Sequence, residues 1–104
     1  MASSEYKASD DKVKFAIDGE MTIYRAEELK EHIRMALSTN RDVEIDLSRV
    51  TEIDSAGLQL MLSSKLESIV RSTQLSFVGH SQAVNEVLDM CNLGSFFGDP
   101  VVIN

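Results

Sequence analysis

Cysteine and histidine are scarce in this chain: there is one of the first, Cys91, and two of the second, His32 and His80. A lone cysteine excludes an internal disulfide, and the small set leaves a thin inventory of metal ligands. Basic charge is scarce too. Ten Lys and Arg stand against seventeen Asp and Glu, a formal net charge of −7. That balance argues against nucleic acid and against an anionic membrane surface, both of which need a basic face. It is compatible with a basic protein partner. No apolar run approaches the length of a membrane span, so no membrane insertion is expected. Met1-Ala2-Ser3-Ser4-Glu5-Tyr6 has neither the basic nor the apolar region of a secretory signal. The expected compartment is the reducing cytoplasm. There is no Walker-type Gly-rich loop and no EF-hand spacing, so neither a cofactor nor a metal is expected. Repeats, linkers and low-complexity stretches are missing as well.

What is present is ordinary for one globular domain spanning residues 1–104: 43% hydrophobic and 26% charged residues. Tyr6 and Ala8 suggest a short edge strand. Residues 12–18 alternate, with Val13, Phe15 and Ile17 on one side and Lys12, Lys14 and Asp18 on the other, and Gly19-Glu20 close the strand. Thr22 is the expected N-cap of a helix reaching to about residue 38, with Ala26, Leu29, Ile33, Ala36 and Leu37 on its apolar stripe and Tyr24 and Met35 opposite. Val43, Ile45 and Leu47 give a second one-sided strand, followed by a loop over 48–54. A second helix is expected over about 55–72, its core stripe being Leu58, Met61, Leu62, Leu66 and Ile69, with the Lys65 ammonium snorkelling to water. Leu75 and Phe77 mark a third strand ended by Gly79. Ser81 caps a third helix with Val84, Val87, Leu88 and Cys91 on one face, and Asn92-Leu93-Gly94 ends it. Phe96, Phe97, Val101, Val102 and Ile103 form an apolar tail.

The order is β-β-α-β-α-β-α. Strands alternating with helices imply parallel crossovers. The charged second faces of the Val13 and Val43 strands are unlike those of a sheet buried on both sides. The expected fold is therefore α/β, with the helices on one face of the sheet and right-handed crossovers stepping it in one direction.

The most informative stretch is Asp46-Leu47-Ser48 through Asp54-Ser55-Ala56-Gly57-Leu58, in which a strand ends and Asp-Ser-x-Gly opens a helix. Asp54 or Ser55 can cap that helix, and Gly57 allows a close approach of backbone or ligand. This block resembles the STAS domain family, the anti-sigma factor antagonists and their relatives. Gly19-Glu20-Met21 resembles the family's turn before the first helix, and Asn92-Leu93-Gly94 roughly resembles its later Gly-Leu, with the order altered. The resemblance implies a STAS-like β/α superhelix, a mixed sheet with helices on one face, and a binding protein with no catalytic residues. It implies phosphorylation of Ser55 by a partner that is both serine kinase and anti-sigma factor, release of that partner, and resetting by a PP2C-type phosphatase. Asp54, Gly57 and Thr22 would support the phosphorylation site. Two departures from the family pattern are Thr22, where many antagonists carry Asp, and Ala56, where a second hydroxyl is frequent. The Asp-Ser-Ala-Gly-Leu-Gln-Leu and Thr-Ile-Tyr variants resemble STAS proteins that accompany chemotaxis-type histidine kinases.

Leu60 is placed opposite the expected core stripe of the second helix, as Tyr24 is in the first. Tyr24, Ser55 and Leu60 are therefore expected to share a partner-facing patch. The plainer alternatives are that Ser55 is only a helix cap and that isolated exposed apolar residues carry no meaning. A different class is a non-switching STAS subunit of a chemotaxis-type or transporter ATPase complex. His32 and His80 are expected to be solvated, as are Glu44 and Asp46.

Overall fold

The structure, a computed structural model, describes residues 7–9, 12–94 and 96–97. Strand β1 (Lys7–Ser9) pairs antiparallel with β2 (Lys12–Met21). Helix α1 (Ala26–Leu37) leads to β3 (Asp42–Ile53), which pairs parallel with β2. Helix α2 (Ser55–Val70), strand β4 (Leu75–Val78, parallel to β3) and helix α3 (Gln82–Met90) follow. The sheet order β1-β2-β3-β4 is the order of the chain, as crossovers confined to one face require.

The one-sided alternation of the strands decides which face is covered. Val13, Phe15, Ile17, Val43, Ile45, Leu47, Leu75 and Phe77 are buried in one cluster with Leu29, Ile33, Ala36 and Leu37 of α1, Leu60 and Met61 of α2, and Val84 and Leu88 of α3. Phe97 joins this core edge-on to Phe77, with ring centroids 5.7 Å apart. Tyr6 and residues 101–103 lie outside the described residues. Among the described residues no helix is long and apolar enough to cross a membrane.

The strands are longer than the sequence pattern suggests. β2 continues through Gly19-Glu20 to Met21, and β3 runs to Ile53, through all but the last residue of the stretch expected to be a loop over 48–54. The reason is a pair of register shifts, between Ala16 and Asp18 and between Gly19 and Glu20, where β3 runs ahead of β2. Each extra residue flips the inward phase, so that Val50 follows Leu47 into the core and the alternation looks broken. Gly19 sits in this irregular stretch at φ +90, and a Cβ there would stand 2.9 Å from Nη1 of Arg25. That guanidinium instead donates to the carbonyls of Asp18 and Glu20, at 2.8 and 2.9 Å.

Each of the three helices differs from expectation at a boundary or on a face. Thr22 is not the N-cap of α1: the helix begins at Ala26, Arg25 holds the cap position without a side-chain hydrogen bond, and Thr22 is buried in the preceding loop. On α2, the buried face is Gly57, Leu60, Met61, Ser64 and Ser68. Leu66 and Ile69, expected in the core, are 59% and 63% exposed, while Leu58 and Leu62 pack at the margin. The serines suit a tight seam because each hydroxyl bonds within its own helix, Ser64 to the Leu60 carbonyl and Ser68 to the Lys65 carbonyl. Lys65 does not simply snorkel: its Nζ donates to the Leu75 carbonyl at 2.6 Å, tying α2 to the start of β4. On α3, Cys91 is exposed and only Val84 and Leu88 are fully buried. Ser81 caps that helix as expected, its hydroxyl accepting the Val84 N–H, and the left-handed residue after it is Asn92 (φ 57) rather than Gly94.

Candidate functional site

The C-terminal ends of β2 and β3 lie side by side, Met21 opposite Ile53, and each runs straight into the next loop. Asp54 therefore emerges beside the loop 22–25, and its main-chain N–H donates to the Met21 carbonyl at 3.3 Å. As the N-cap of α2 it has extended backbone, which frees its carboxylate to act in two directions. Oδ1 accepts the Gly57 N–H at 3.1 Å, closing the first turn of the helix. Oδ2 accepts the Ile23 N–H at 3.0 Å, reaching across to the other loop. The bond from Ile23 is the largest influence holding the Asp54 carboxyl below the usual carboxylate range; burial pushes the other way, and the N–H groups of Gly57 and Ala56 add to the lowering.

Ser55 is the first residue of α2 and is exposed. Gly57 faces the Met21 carbonyl closely, so the close approach expected from the sequence is made by the protein's own backbone. The Thr22 hydroxyl turns away from the helix to donate to Glu20 Oε1 at 2.7 Å. Between Thr22 and Arg25 a turn, closed by the Arg25 N–H on the Thr22 carbonyl at 2.9 Å, lifts Ile23 and Tyr24 outward. They are 63% and 88% exposed.

The structure thus gathers Thr22, Asp54, Ser55 and Gly57, with the Tyr24 turn joined to them through Asp54. It does not bring Leu60 to that surface. Leu60 is 7% exposed and belongs to the core, because α1 packs along the face of α2 that a helical wheel leaves opposite Leu66 and Ile69. Two participants escaped the sequence reading. Ile23 carries no local signal, because an N-cap at Thr22 would put it in the first turn of a helix. Arg25, whose guanidinium fixes the bulge below the turn, carried no motif. The strain implied by Gly19 was the available signal for Arg25.

The chemistry open to this surface is limited. Among the described residues no hydrogen bond joins Ser55 to a histidine: His80 Nε2 lies 3.0 Å from the Phe77 carbonyl, and His32 lies beside the ring of Phe15. No group of three or more metal-ligating side chains stands together among the described residues. Glu44 pairs with Lys12, and Asp46 accepts the Ser48 N–H, so neither is merely solvated. Ser55 stands exposed at the helix start whose cap, Asp54, also holds the apolar turn.

A family model described as "Mlab, STAS domain" matches residues 4–102. The chain belongs to the STAS domain family. The STAS fold is equally evident in solved structures. An anti-sigma factor antagonist from Mycobacterium paratuberculosis is similar at 20% identity and a TM-score of 0.81, covering 93% of this chain and 83% of that one. An anti-sigma factor antagonist from Thermotoga maritima, so described only provisionally, is similar at 25% identity and 0.78, covering 88% and 80%. The Bacillus cell fate determinant SpoIIAA in its phosphorylated form is similar at 18% identity and 0.68, covering 89% and 86%. The mixed sheet with helices on one face is the STAS arrangement anticipated from the Asp54-Ser55-Ala56-Gly57 block.

Proposed function

We propose that this STAS protein is a phosphorylation-switched regulator that binds a partner protein. Its unmodified form binds a serine kinase that also acts as an anti-sigma factor, or a histidine-kinase-type signalling protein, and phosphorylation of Ser55 releases it. A PP2C-type phosphatase restores the unmodified state, and the whole cycle runs in the cytoplasm. The observation that carries this reading is the exposure of Ser55 at the first position of α2, joined through Asp54 to the outward-facing Ile23 and Tyr24.

The group transfer balances simply. The Ser55 hydroxyl oxygen attacks the terminal phosphorus of a nucleoside triphosphate held by the kinase. A P–O bond to Ser55 forms, the bond to the departing diphosphate breaks, and the hydroxyl proton passes to a base on the kinase. The product carries about −1.5 to −2 charges and three strong acceptors. A helix N-terminus tolerates that charge, so the fold survives. A docked partner that desolvates it does not: a loss of ~3 kcal/mol weakens binding by about a hundredfold.

The test is to incubate the purified protein with an anti-sigma-type kinase of the same organism and ATP, locate the phosphoryl group by mass spectrometry, and titrate Ser55→Ala and Ser55→Asp against that kinase by calorimetry. Modification at Ser55, with Ser55→Ala binding and Ser55→Asp failing to bind, supports the switch. Equal binding by both variants supports the second reading, a non-switching STAS subunit of a chemotaxis-type or transporter ATPase complex.

A further inference from the structure

We infer that Asp54 is a positioning residue that couples the chemical state of Ser55 to the orientation of Ile23 and Tyr24; this rests on reading Ser55 as the modification site. The coupling follows from how the turn is held. Its flanks are fixed. Met21 is buried and paired to Ile53, Thr22 is buried and bonded to Glu20, and the Arg25 guanidinium is anchored on the carbonyls of Asp18 and Glu20. Its tip is not. Ile23 and Tyr24 stand in solvent, and the tip is tied to α2 through the Ile23 N–H on Asp54 Oδ2.

The same carboxylate closes the first turn of α2 through Gly57. A phosphate on Ser55, the adjacent residue, carries like charge and seeks the same first-turn N–H groups. It repels the Asp54 carboxylate and competes with it for Gly57. As Asp54 turns away, Ile23 loses its acceptor, and the tip reorients between flanks that stay in place. The switch then changes the shape of the apolar contact offered to a partner, in addition to its charge. A partner need only touch Tyr24 to sense Ser55.

The experiment uses the full chain alone, with phosphoserine incorporated at position 55 during translation, followed by NMR and amide hydrogen exchange. Exchange at Ile23 is expected to rise about tenfold or more, the scale of losing one charge-assisted hydrogen bond. The Ile23 and Tyr24 resonances move, while those of Met21 in the sheet hardly change. Asp54→Ser separates capping from coupling, since serine caps a helix but is too short to serve Ile23 as well. It is expected to speed Ile23 exchange without phosphate, to leave the α2 interior protected, and to remove most of the further effect of phosphoserine. Asp54→Asn, with one carboxylate oxygen replaced by a donor, gives an independent copy of the result should Asp54→Ser fold poorly. Unchanged Ile23 exchange in the phosphoserine protein, or in both Asp54 variants, overturns the coupling. Because neither kinase nor partner is present, that outcome is distinct from failure of the switch itself, which the Ser55 binding titrations report.

Discussion

Gly57 on α2 faces the main-chain carbonyl of Met21 at the end of β2, and a Cβ on Gly57 would lie 2.1 Å from that oxygen. Two backbones, one of them opening the helix that carries Ser55, meet with no room for a methyl group between them. This contact seats the loop 22–25 on the first turn of α2.

Gly57→Ala is therefore expected to destabilise the protein. Alanine gains about 1 kcal/mol of helix propensity over glycine. The clash is against backbone, which cannot swing aside as a flexible side chain can, and forcing apart a packed seam costs roughly 1–3 kcal/mol or more. The clash wins, so the urea midpoint falls while the slope of the transition stays the same. A raised midpoint would mean that the two segments do not meet as described.

Acid sensitivity follows from Asp54. The Ile23 N–H above all, with those of Gly57 and Ala56, holds its carboxyl below the ordinary range. A carboxyl lowered in the folded state stabilises the fold fully above its unfolded value, about 3.9, and loses that contribution as pH falls through the folded value. Urea melts between roughly pH 6 and pH 2.5 are expected to show a steeper acid limb for the wild type than for Asp54→Asn, whose side chain does not titrate. Parallel limbs would show that Asp54 contributes nothing to the pH dependence.

Leu60, buried, and Tyr24, exposed, separate the fold from the proposed recognition surface. Leu60→Ala opens a void in the core beneath α1 and is expected to cost ~2–5 kcal/mol. Tyr24→Ala removes an exposed ring and is expected to stay within about 0.5 kcal/mol of wild type. In titrations against the anti-sigma-type kinase, Tyr24→Ala is expected to lose binding although it melts normally. A Tyr24→Ala protein that binds normally would remove the turn from the recognition surface.

The outer side of α2 gives a fourth comparison. Leu66→Lys and Ile69→Gln place polar groups where the apolar side chains already face water, and each is expected to leave stability within ~0.5 kcal/mol. A loss of several kcal/mol from either would restore the stripe that helical periodicity suggests and contradict the buried Ser64–Ser68 seam.

Much of this protein was legible in the order of its residues, for a simple reason. Alternation along Val13-Phe15-Ile17 and Val43-Ile45-Leu47 has a period that only a half-buried strand satisfies, and the α1 stripe has one that only a helix satisfies. Strand order, the covered face, the Ser81 cap and the start of α2 at Asp54-Ser55 all follow from such local patterns. The continuation of β3 past Leu47 did not, because a bulge changes the phase of alternation and is specified by the neighbouring strand rather than by the strand itself. The face of α2 did not either. Its sequence is apolar on more than one side, so packing against α1 decided that Leu60, Ser64 and Ser68 turn inward and Leu66 and Ile69 outward.

The site divides along the same line. By itself the sequence determined that Asp54, Ser55 and Gly57 open a helix, since capping and close approach are properties of a few adjacent residues. Only the tertiary structure decided what they are joined to. The bond from Ile23 to Asp54 spans thirty-one positions and exists because β2 and β3 lie in parallel register and end together. No local pattern encodes such a meeting, and it is this meeting that ties the exposed Tyr24 turn to Asp54, the residue before Ser55.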